Sequence, residues 1–169
     1  LGLLNHLAPV DRGGQGAGRA VDRRVHELIA GGCLNTWLVW AQHAPLVGRL
    51  AGRPAGRSEP PLFDRIVRGE ILLGAAISDV RRFPGHAVTA TRSGDGWTFS
   101  GTVSWVTGWG LNEALTVAGI EAGTGTVVTA VLPVSDRTRA TPLQLSAVGG
   151  SRTDRVVIDR VFVPDEHVL

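Results

Sequence analysis

The stretch Gly96-Trp97-Thr98-Phe99-Ser100-Gly101-Thr102-Val103-Ser104-Trp105-Val106-Thr107 decides the fold of this chain. Its aromatic and β-branched residues predict an extended strand, and Ser93-Gly94-Asp95-Gly96 just before it predicts a tight hairpin turn. At the end of the strand, an indole, a β-branched spacer and a hydroxyl project on alternating sides. An indole packs against a flat heteroaromatic ring, and a hydroxyl beside it bonds to the edge of such a ring. The stretch therefore predicts one wall of a ring-binding site.

Length and composition set the broad class of the protein. Of the 169 residues, 43% are hydrophobic, which is enough for one compact unit or two small ones. The formal charge is +2, and the arginines are scattered among acids, so no nucleic-acid partner is predicted. Because no apolar run is long enough to span a bilayer and no signal peptide is seen, the expectation is a soluble, cytoplasmic protein without a membrane partner.

The only cysteine and the first residues carry two further expectations. Cys33 lies in an apolar helical stretch, so it is predicted to be a small buried hydrophobe rather than a nucleophile. The chain contains no methionine and opens on the apolar run Leu1-Gly2-Leu3-Leu4. It is therefore interpreted as a fragment or a trimmed domain.

Residues 1–70 are predicted to be largely helical. Apolar residues recur at helical spacing in two segments. They are Val21, Val25, Leu28 and Ile29 in the first segment, and Leu34, Trp37, Leu38 and Ala41 in the second. The first helix is expected to end at Gly31-Gly32 and the second to be interrupted near Pro45. Residues 49–61 predict a surface loop, and Pro60-Pro61 opens a short helix that stops at Gly69.

Residues 71–169 are predicted to form a β-domain. Runs rich in β-branched residues alternate with polar turns over residues 89–92, 97–103, 115–120, 126–132 and 155–163. Short strands at such intervals are typical of a small antiparallel barrel or sandwich. The predicted fold class is therefore α+β, with a helical segment followed by an antiparallel β-barrel or sandwich domain.

Several short motifs follow one another in the order found in the acyl-CoA dehydrogenases. Each resembles a family segment: a Pro-x-x-x-Gly-Gly-x-Gly turn, a Gly-Glu segment, a Leu-Thr-Glu-Pro segment and a closing Val-x-Val-Pro. The matching residues are Pro9-Val10-Asp11-Arg12-Gly13-Gly14-Gln15-Gly16, Ile66-Val67-Arg68-Gly69-Glu70, Ala76-Ile77-Ser78-Asp79-Val80 and Val161-Phe162-Val163-Pro164. The resemblance covers nearly the whole chain and implies part of the N-terminal helical domain (1–70) and the middle β-domain (71–169).

The resemblance implies FAD as cofactor and a set of residues that contact it. Trp105 matches the tryptophan that packs on the isoalloxazine ring, and Thr107, after Val106, matches the hydroxyl residue near flavin N5. Ser78 matches the threonine that faces the pyrimidine side of the flavin, and Ile77 matches its apolar neighbour. The alternative is that Trp105 is an ordinary strand residue and Ser78 an edge polar group.

The family's reaction and partners follow from the same resemblance. The reaction is the α,β-dehydrogenation of an acyl thioester, either an acyl-CoA or an acyl-carrier thioester, in fatty acid metabolism. Electrons would leave through an electron-transfer flavoprotein, and the protein would be a homo- or hetero-oligomer. Two rivals remain open: a flavin-dependent monooxygenase of the same fold, and a non-catalytic binding or assembly module.

The segment after Asp79 departs from the family pattern. A Gly-Ser-Asp usually follows, and its serine holds the acyl-CoA; here Pro84 stands at that place and offers no donor. Arg81 and Arg82 are predicted to pair with the phosphates of a CoA or carrier arm, with two solvated arginines on a loop as the alternative. Gly149 also stands where an arginine is common.

No residue clearly supplies the carboxylate base that dehydrogenation needs. Asp79 and Glu113 are the acids near the motifs, but such acids usually have surface or capping roles. His43 lies on an apolar helix and is predicted to be a satisfied buried histidine. The histidines show no metal-ligand spacing. The resemblance implies a C-terminal helical domain that carries the base, and the expectation is that this domain lies outside residues 1–169. The chain alone is therefore expected to be inactive and to retain little flavin.

Overall fold

The computed structural model describes residues 2–53, 60–83, 85 and 87–169. The chain divides into two compact units. The helical unit contains Leu1–Leu73 together with Leu145–Ser151, and the β unit contains Gly74–Gln144 together with Arg152–Leu169.

Among its described residues, the helical unit contains three α-helices, as predicted. They are α1 (Arg19–Gly32), α2 (Leu34–Ala51) and α3 (Pro61–Val67). The expected interruption at Pro45 is wrong, because α2 continues through it to Ala51. Ala44 and Val47 are buried on either side of Pro45, and this packing offsets the hydrogen bond that the proline cannot donate. The predicted loop over residues 49–61 therefore begins later than expected, and residues 54–59 of it lie outside the described residues.

Cys33 lies between α1 and α2 and is exposed, so its predicted burial is wrong. The residue has an extended backbone that separates the two helices, and this leaves its side chain at the start of α2 instead of on an apolar helix face. A hydrogen bond from the side chain of Thr36, and a smaller contribution from its backbone, lower the pKa of the Cys33 thiol.

The Gly-rich turn before α1 is held by backbone hydrogen bonds. The Gly14 N–H donates to the Pro9 carbonyl over 2.9 Å, and the Gly13 N–H donates to the Val10 carbonyl over 3.0 Å. A Cβ added at Gly14 would lie 2.0 Å from the carbonyl oxygen of Ala8. Only glycine fits that position without a backbone shift.

His43 is fully buried in the helical unit, as predicted. Its Nε2–H donates to the Leu4 carbonyl over 2.7 Å, and the Leu73 N–H donates to its Nδ1 over 2.9 Å. Both ring nitrogens are therefore satisfied by one neutral tautomer. Burial lowers the pKa of His43 to about 4, so the imidazole stays neutral near pH 7.

In the described part of the β unit, seven strands form one curled sheet. They are β1 (Leu73–Ala76), β2 (Thr89–Ser93), β3 (Gly96–Val106), β4 (Ala114–Ile120), β5 (Val127–Pro133), β6 (Thr138–Pro142) and β7 (Asp154–Pro164). The order across the sheet is β1-β4-β2-β3-β7-β6, and β5 pairs with β4. This confirms the predicted α+β class and adds two strands, β1 and β6, that the sequence pattern did not indicate.

The sheet is mixed rather than wholly antiparallel. Strand β2 pairs antiparallel with β3 through a two-residue turn in which Ser93 faces Gly96, as the hairpin motif predicts. Strand β2 also pairs parallel with β4 at a single position, Thr89 opposite Ile120. The β2–β3 turn reverses the direction of the chain, and the turn after β3 reverses it again. Strand β4 therefore runs parallel to β2.

One face of the sheet forms the core of the β unit. Large side chains from several strands, including Phe99, Leu115, Leu132 and Ile158, are at most 1% exposed. Burial alternates along β7, where Val156 and Ile158 are buried while Arg155 and Val157 are exposed. The end of β3 departs from this period of two, since Val103 and Val106, three positions apart, are both buried.

Candidate functional site

The end of β3 is irregular just where Trp105 lies. Val103 pairs with Val156 and Val106 pairs with Asp154, so Ser104 and Trp105 together face the single residue Arg155 of β7. This is a β-bulge on β3. Bulges of this kind redirect a side chain without ending the strand, and here the residue at the bulge is the tryptophan.

Trp105 is the large aromatic residue that the bulge exposes. Its side chain is 60% accessible, whereas Val106 next to it is fully buried in the core. Ile77, which follows β1, is 45% accessible. An accessible indole offers a flat apolar surface on which a ligand ring can stack, so Trp105 is a candidate ligand platform.

Thr107 lies beyond the end of β3 and is half-buried. Its Oγ1 is 2.9 Å from the Oγ1 of Thr153, which is buried, and either hydroxyl can be the donor. The Thr107 carbonyl accepts a hydrogen bond of 2.8 Å from the buried amide of Asn112. Backbone and hydroxyl of Thr107 are thus both fixed, and a hydroxyl that accepts from Thr153 still has its own hydrogen to donate.

Ser78 lies in the loop after β1 and is exposed. Its hydroxyl donates to Oδ2 of Asp79 over 3.1 Å. A hydroxyl that donates in this way keeps acceptor capacity, so Ser78 is suited to accept a hydrogen bond from a ligand N–H.

Asp79 connects the Ser78 loop to the end of β3. Its side chain is 3% exposed, and its Oδ2 accepts a hydrogen bond from the backbone N–H of Ser104. The structure therefore brings the loop that carries Ile77 and Ser78 against the strand end that carries Trp105. The sequence indicates Asp79 only as an acid near the motifs and does not predict its hydrogen bond to the Ser104 backbone.

Arg81 and Arg82 lie on a short 3-10 helix, Val80–Arg82, and both are exposed. Arg82 Nη1 is 3.4 Å from Oδ1 of Asp79, so one of the two predicted phosphate-binding arginines is next to the buried carboxylate. Pro84, which stands where the family has its serine, lies outside the described residues.

Other kinds of site find little support among the described residues. No group of three histidine, cysteine, aspartate or glutamate side chains is arranged to hold a metal ion in the described part of the chain. Within those same residues, no helix is long and apolar enough to cross a membrane. A cavity of about 500 Å³ in the helical unit, lined by Asn5, Gln15 and Arg68 among others, includes none of the predicted site residues.

The sequence comparisons give no match. No protein-family profile matches the chain. No curated protein matches it either.

Solved structures, by contrast, match 99% of the chain. KijD3 in complex with FMN and dTDP-3-amino-2,3,6-trideoxy-4-keto-3-methyl-D-glucose is 21% identical with a TM-score of 0.80. Glutaryl-CoA dehydrogenase from Mycobacterium smegmatis in complex with FADH2 is 17% identical with a TM-score of 0.78. A 3-HSA hydroxylase from Rhodococcus sp. RHA1 is 18% identical with a TM-score of 0.77.

The chain has the fold of the acyl-CoA dehydrogenases. It spans 44%, 44% and 42% of the lengths of the KijD3, glutaryl-CoA dehydrogenase and hydroxylase chains, respectively. The similarity thus concerns part of each larger protein.

Proposed function

We propose that this chain forms the flavin-binding wall of an acyl-CoA dehydrogenase-like flavoenzyme that oxidises an acyl thioester. The observation that carries the proposal is the exposed Trp105 on a β-bulge, two residues before a fixed threonine hydroxyl. Two solved structures of the same fold are complexes with FMN and with FADH2.

The residues present fit a flavin. The ring system is flat, and the accessible indole of Trp105 offers a surface on which it can stack. Thr107 offers a hydroxyl donor when its Oγ1 accepts from Thr153, whereas Ser78, whose hydroxyl donates to Asp79, offers an acceptor. The edge of the flavin ring carries an N–H that needs an acceptor and other atoms that need donors. The Ser78 hydroxyl can accept from the N–H, and the Thr107 hydroxyl can donate.

When bound, FAD supplies the acceptor for two electrons and a proton equivalent. The residues of this chain bind and orient the ring; none of them is proposed as the base. The carboxylate of Asp79 already accepts hydrogen bonds from Ser104 and Ser78, which leaves it poorly placed to remove a substrate proton.

The substrate proposal is an acyl-CoA or acyl-carrier thioester. Its phosphates would pair with Arg81 and Arg82, which are exposed on one short helix next to the Ser78 loop. Transfer of electrons to an electron-transfer flavoprotein and assembly into a homo- or hetero-oligomer belong to the same proposal. An α,β-dehydrogenation is the reaction that this set of partners serves.

Flavin affinity of Trp105 variants tests the proposal. FAD is titrated with the full chain, and the loss of flavin fluorescence gives the affinity. Removing the indole in Trp105→Ala should weaken binding roughly 2- to 10-fold, since an aromatic pair contributes about 0.5–1.5 kcal/mol. Trp105→Phe keeps a ring and should lose less.

Phe162→Ala is the matched control for this titration. Phe162 is an exposed aromatic residue, 47% accessible, on β7 of the same sheet. It lies opposite Thr98, near the other end of β3 from Trp105. Equal flavin affinity in Trp105→Ala and wild type would contradict the proposed site.

A flavin-dependent monooxygenase is the second candidate function. It is favoured by the proline at position 84, where the dehydrogenases have the serine that holds the acyl-CoA. A hydroxylase is also among the solved structures that share the fold. Oxygen consumption by the full-length protein with reduced flavin separates the two reactions, because only the monooxygenase needs oxygen as its co-substrate.

A further inference from the structure

The buried carboxylate of Asp79 accepts hydrogen bonds from two separate segments of the β unit. Ser78 is its sequence neighbour in the loop after β1, and its hydroxyl donates to Oδ2 over 3.1 Å. Ser104 lies 25 positions further along the chain, on β3, and its backbone N–H donates to the same oxygen. One atom thus accepts from both of the segments that carry the proposed flavin-binding residues.

The hydrogen bond to Ser104 stabilises an irregular piece of strand. Strand β2 pairs with β3 only as far as Ser100, and the register with β7 gives Ser104 and Trp105 no separate partners. A backbone N–H that is shielded from water needs an acceptor. The Asp79 carboxylate supplies that acceptor one residue before Trp105.

Arg82 adds a third contact to the same side chain. Its Nη1 lies 3.4 Å from Oδ1 of Asp79, and Arg82 is otherwise exposed. An ionised carboxylate is an acceptor at both oxygens and cannot act as a donor. The contacts from Ser78, Ser104 and Arg82 suit such an acceptor at position 79.

We propose that Asp79 is a positioning residue that holds the Ile77–Ser78 segment and the Trp105–Thr107 segment in one arrangement for the flavin. The inference rests on the proposed function, since it concerns the same site. Asp79 does not touch the flavin in this account. It acts through the backbone of Ser104, which sets the direction of the Trp105 indole, and through the hydroxyl of Ser78.

The test compares Asp79→Ala and Asp79→Asn with the wild-type chain by NMR and by flavin titration. Hydrogen exchange of the Ser104 amide is measured first, followed by the resonance of the Trp105 indole N–H. In Asp79→Ala the Ser104 amide should exchange roughly tenfold faster and the Trp105 indole resonance should shift. Asp79→Asn keeps one acceptor oxygen, so its effects should be smaller.

Two controls separate positioning from general loss of stability. Asp136→Ala removes an exposed acid from the turn between β5 and β6 and should change neither signal. Val128→Ala removes buried volume from β5 and should destabilise the β unit without moving the Trp105 indole resonance. An equal shift of that resonance in Val128→Ala and Asp79→Ala would overturn the inference.

Flavin affinity gives the second readout. A several-fold weaker affinity in Asp79→Ala, partly recovered in Asp79→Asn, supports positioning. Unchanged flavin affinity with a fast-exchanging Ser104 amide would overturn it. If Asp79→Ala does not fold, hydrogen exchange in the wild-type chain still tests the inference. A Ser104 amide that exchanges there as fast as an unprotected amide overturns it.

Failure of the proposed function gives a different result. If the wild-type chain binds no flavin, the proposed function fails. The connection between the two segments is then judged from the Trp105 indole resonance alone. A shift in Asp79→Ala supports the connection, and an unchanged resonance overturns it.

Discussion

Burial and hydrogen bonding give single side chains of this protein very different chemistry. His43 is fully buried, and two backbone groups fix it as a neutral imidazole. Cys33 is exposed, and Thr36 lowers the pKa of its thiol. Asp79 is buried next to donors, so its carboxylate serves as a hydrogen-bond acceptor that holds the structure. The burial and the hydrogen-bond partners of a side chain therefore decide its role together with its residue type.

His43 makes the stability of the helical unit depend on pH. Its pKa is about 4 in the folded chain, below the ordinary value of 6.5, so the unfolded chain binds the proton more tightly. The stabilisation is complete above pH 6.5 and is lost as the pH falls towards 4. We expect the free energy of unfolding to decrease by about 3 kcal/mol over this range from His43 alone. Urea unfolding at several pH values measures it.

His43→Gln is the control for this pH dependence. Glutamine offers both a donor and an acceptor but does not titrate, so the variant should lose the His43 component while other groups still contribute. If wild type and His43→Gln lose the same free energy of unfolding between pH 6.5 and pH 4, the account of His43 is wrong.

At the scale of elements, local sequence patterns predicted most of the helices and strands. The spacing of Val21, Val25, Leu28 and Ile29 predicted α1, and the Ser93–Gly96 turn predicted the β2–β3 hairpin. Strand β6 escaped prediction because its sequence, Thr-Arg-Ala-Thr-Pro, lacks a run of apolar residues. The continuation of α2 through Pro45 also escaped it, since the stabilising burial of Val47 is a tertiary effect.

Two glycines of the helical unit should respond oppositely to alanine. A Cβ at Gly14 would clash with the Ala8 backbone at 2.0 Å, whereas a Cβ at Gly31, in α1, meets nothing within 4 Å. We expect Gly14→Ala to destabilise the chain by about 1–3 kcal/mol, because the turn must shift. Gly31→Ala should stabilise it by up to about 1 kcal/mol, because alanine is the better helix former. Thermal unfolding of both variants measures the difference.

The result for Gly14 bears on the turn that resembles the family's Gly-Gly-x-Gly motif. Equal stability of Gly14→Ala and wild type would contradict the close approach of the Gly14 backbone to Ala8. A destabilised Gly31→Ala would contradict the open space around a Cβ at that position of α1.

At the scale of the whole molecule, the order of motifs was more informative than any single motif. Each of the segments around Gly14, Ser78, Trp105 and Val163 is short, but together they predicted the fold that the solved structures share. The organisation into units was less predictable. Residues 145–151 belong to the helical unit although they lie between strands β6 and β7, and no local pattern indicates this.

The sequence names candidate residues for the site but not the hydrogen bonds that connect them. The resemblance named Ser78, Trp105 and Thr107, which remain predictions as flavin contacts. The connections between them depend on Asp79 and Thr153, which act across 25 and 46 positions of the chain. Such long-range hydrogen bonds leave no periodic signal in the sequence, so only the fold reveals them.

The function proposed for this chain depends on the Trp105 indole being the surface on which a flavin stacks. The chain contains five tryptophans, and the indole N–H resonance of Trp105 is assigned from the spectrum of Trp105→Phe. FMN is then titrated into the wild-type chain and the five indole resonances are followed by NMR. We expect a progressive shift of the Trp105 resonance while those of Trp37 and Trp40, in the helical unit, stay in place. An unmoved Trp105 resonance in a chain that binds the flavin would contradict it.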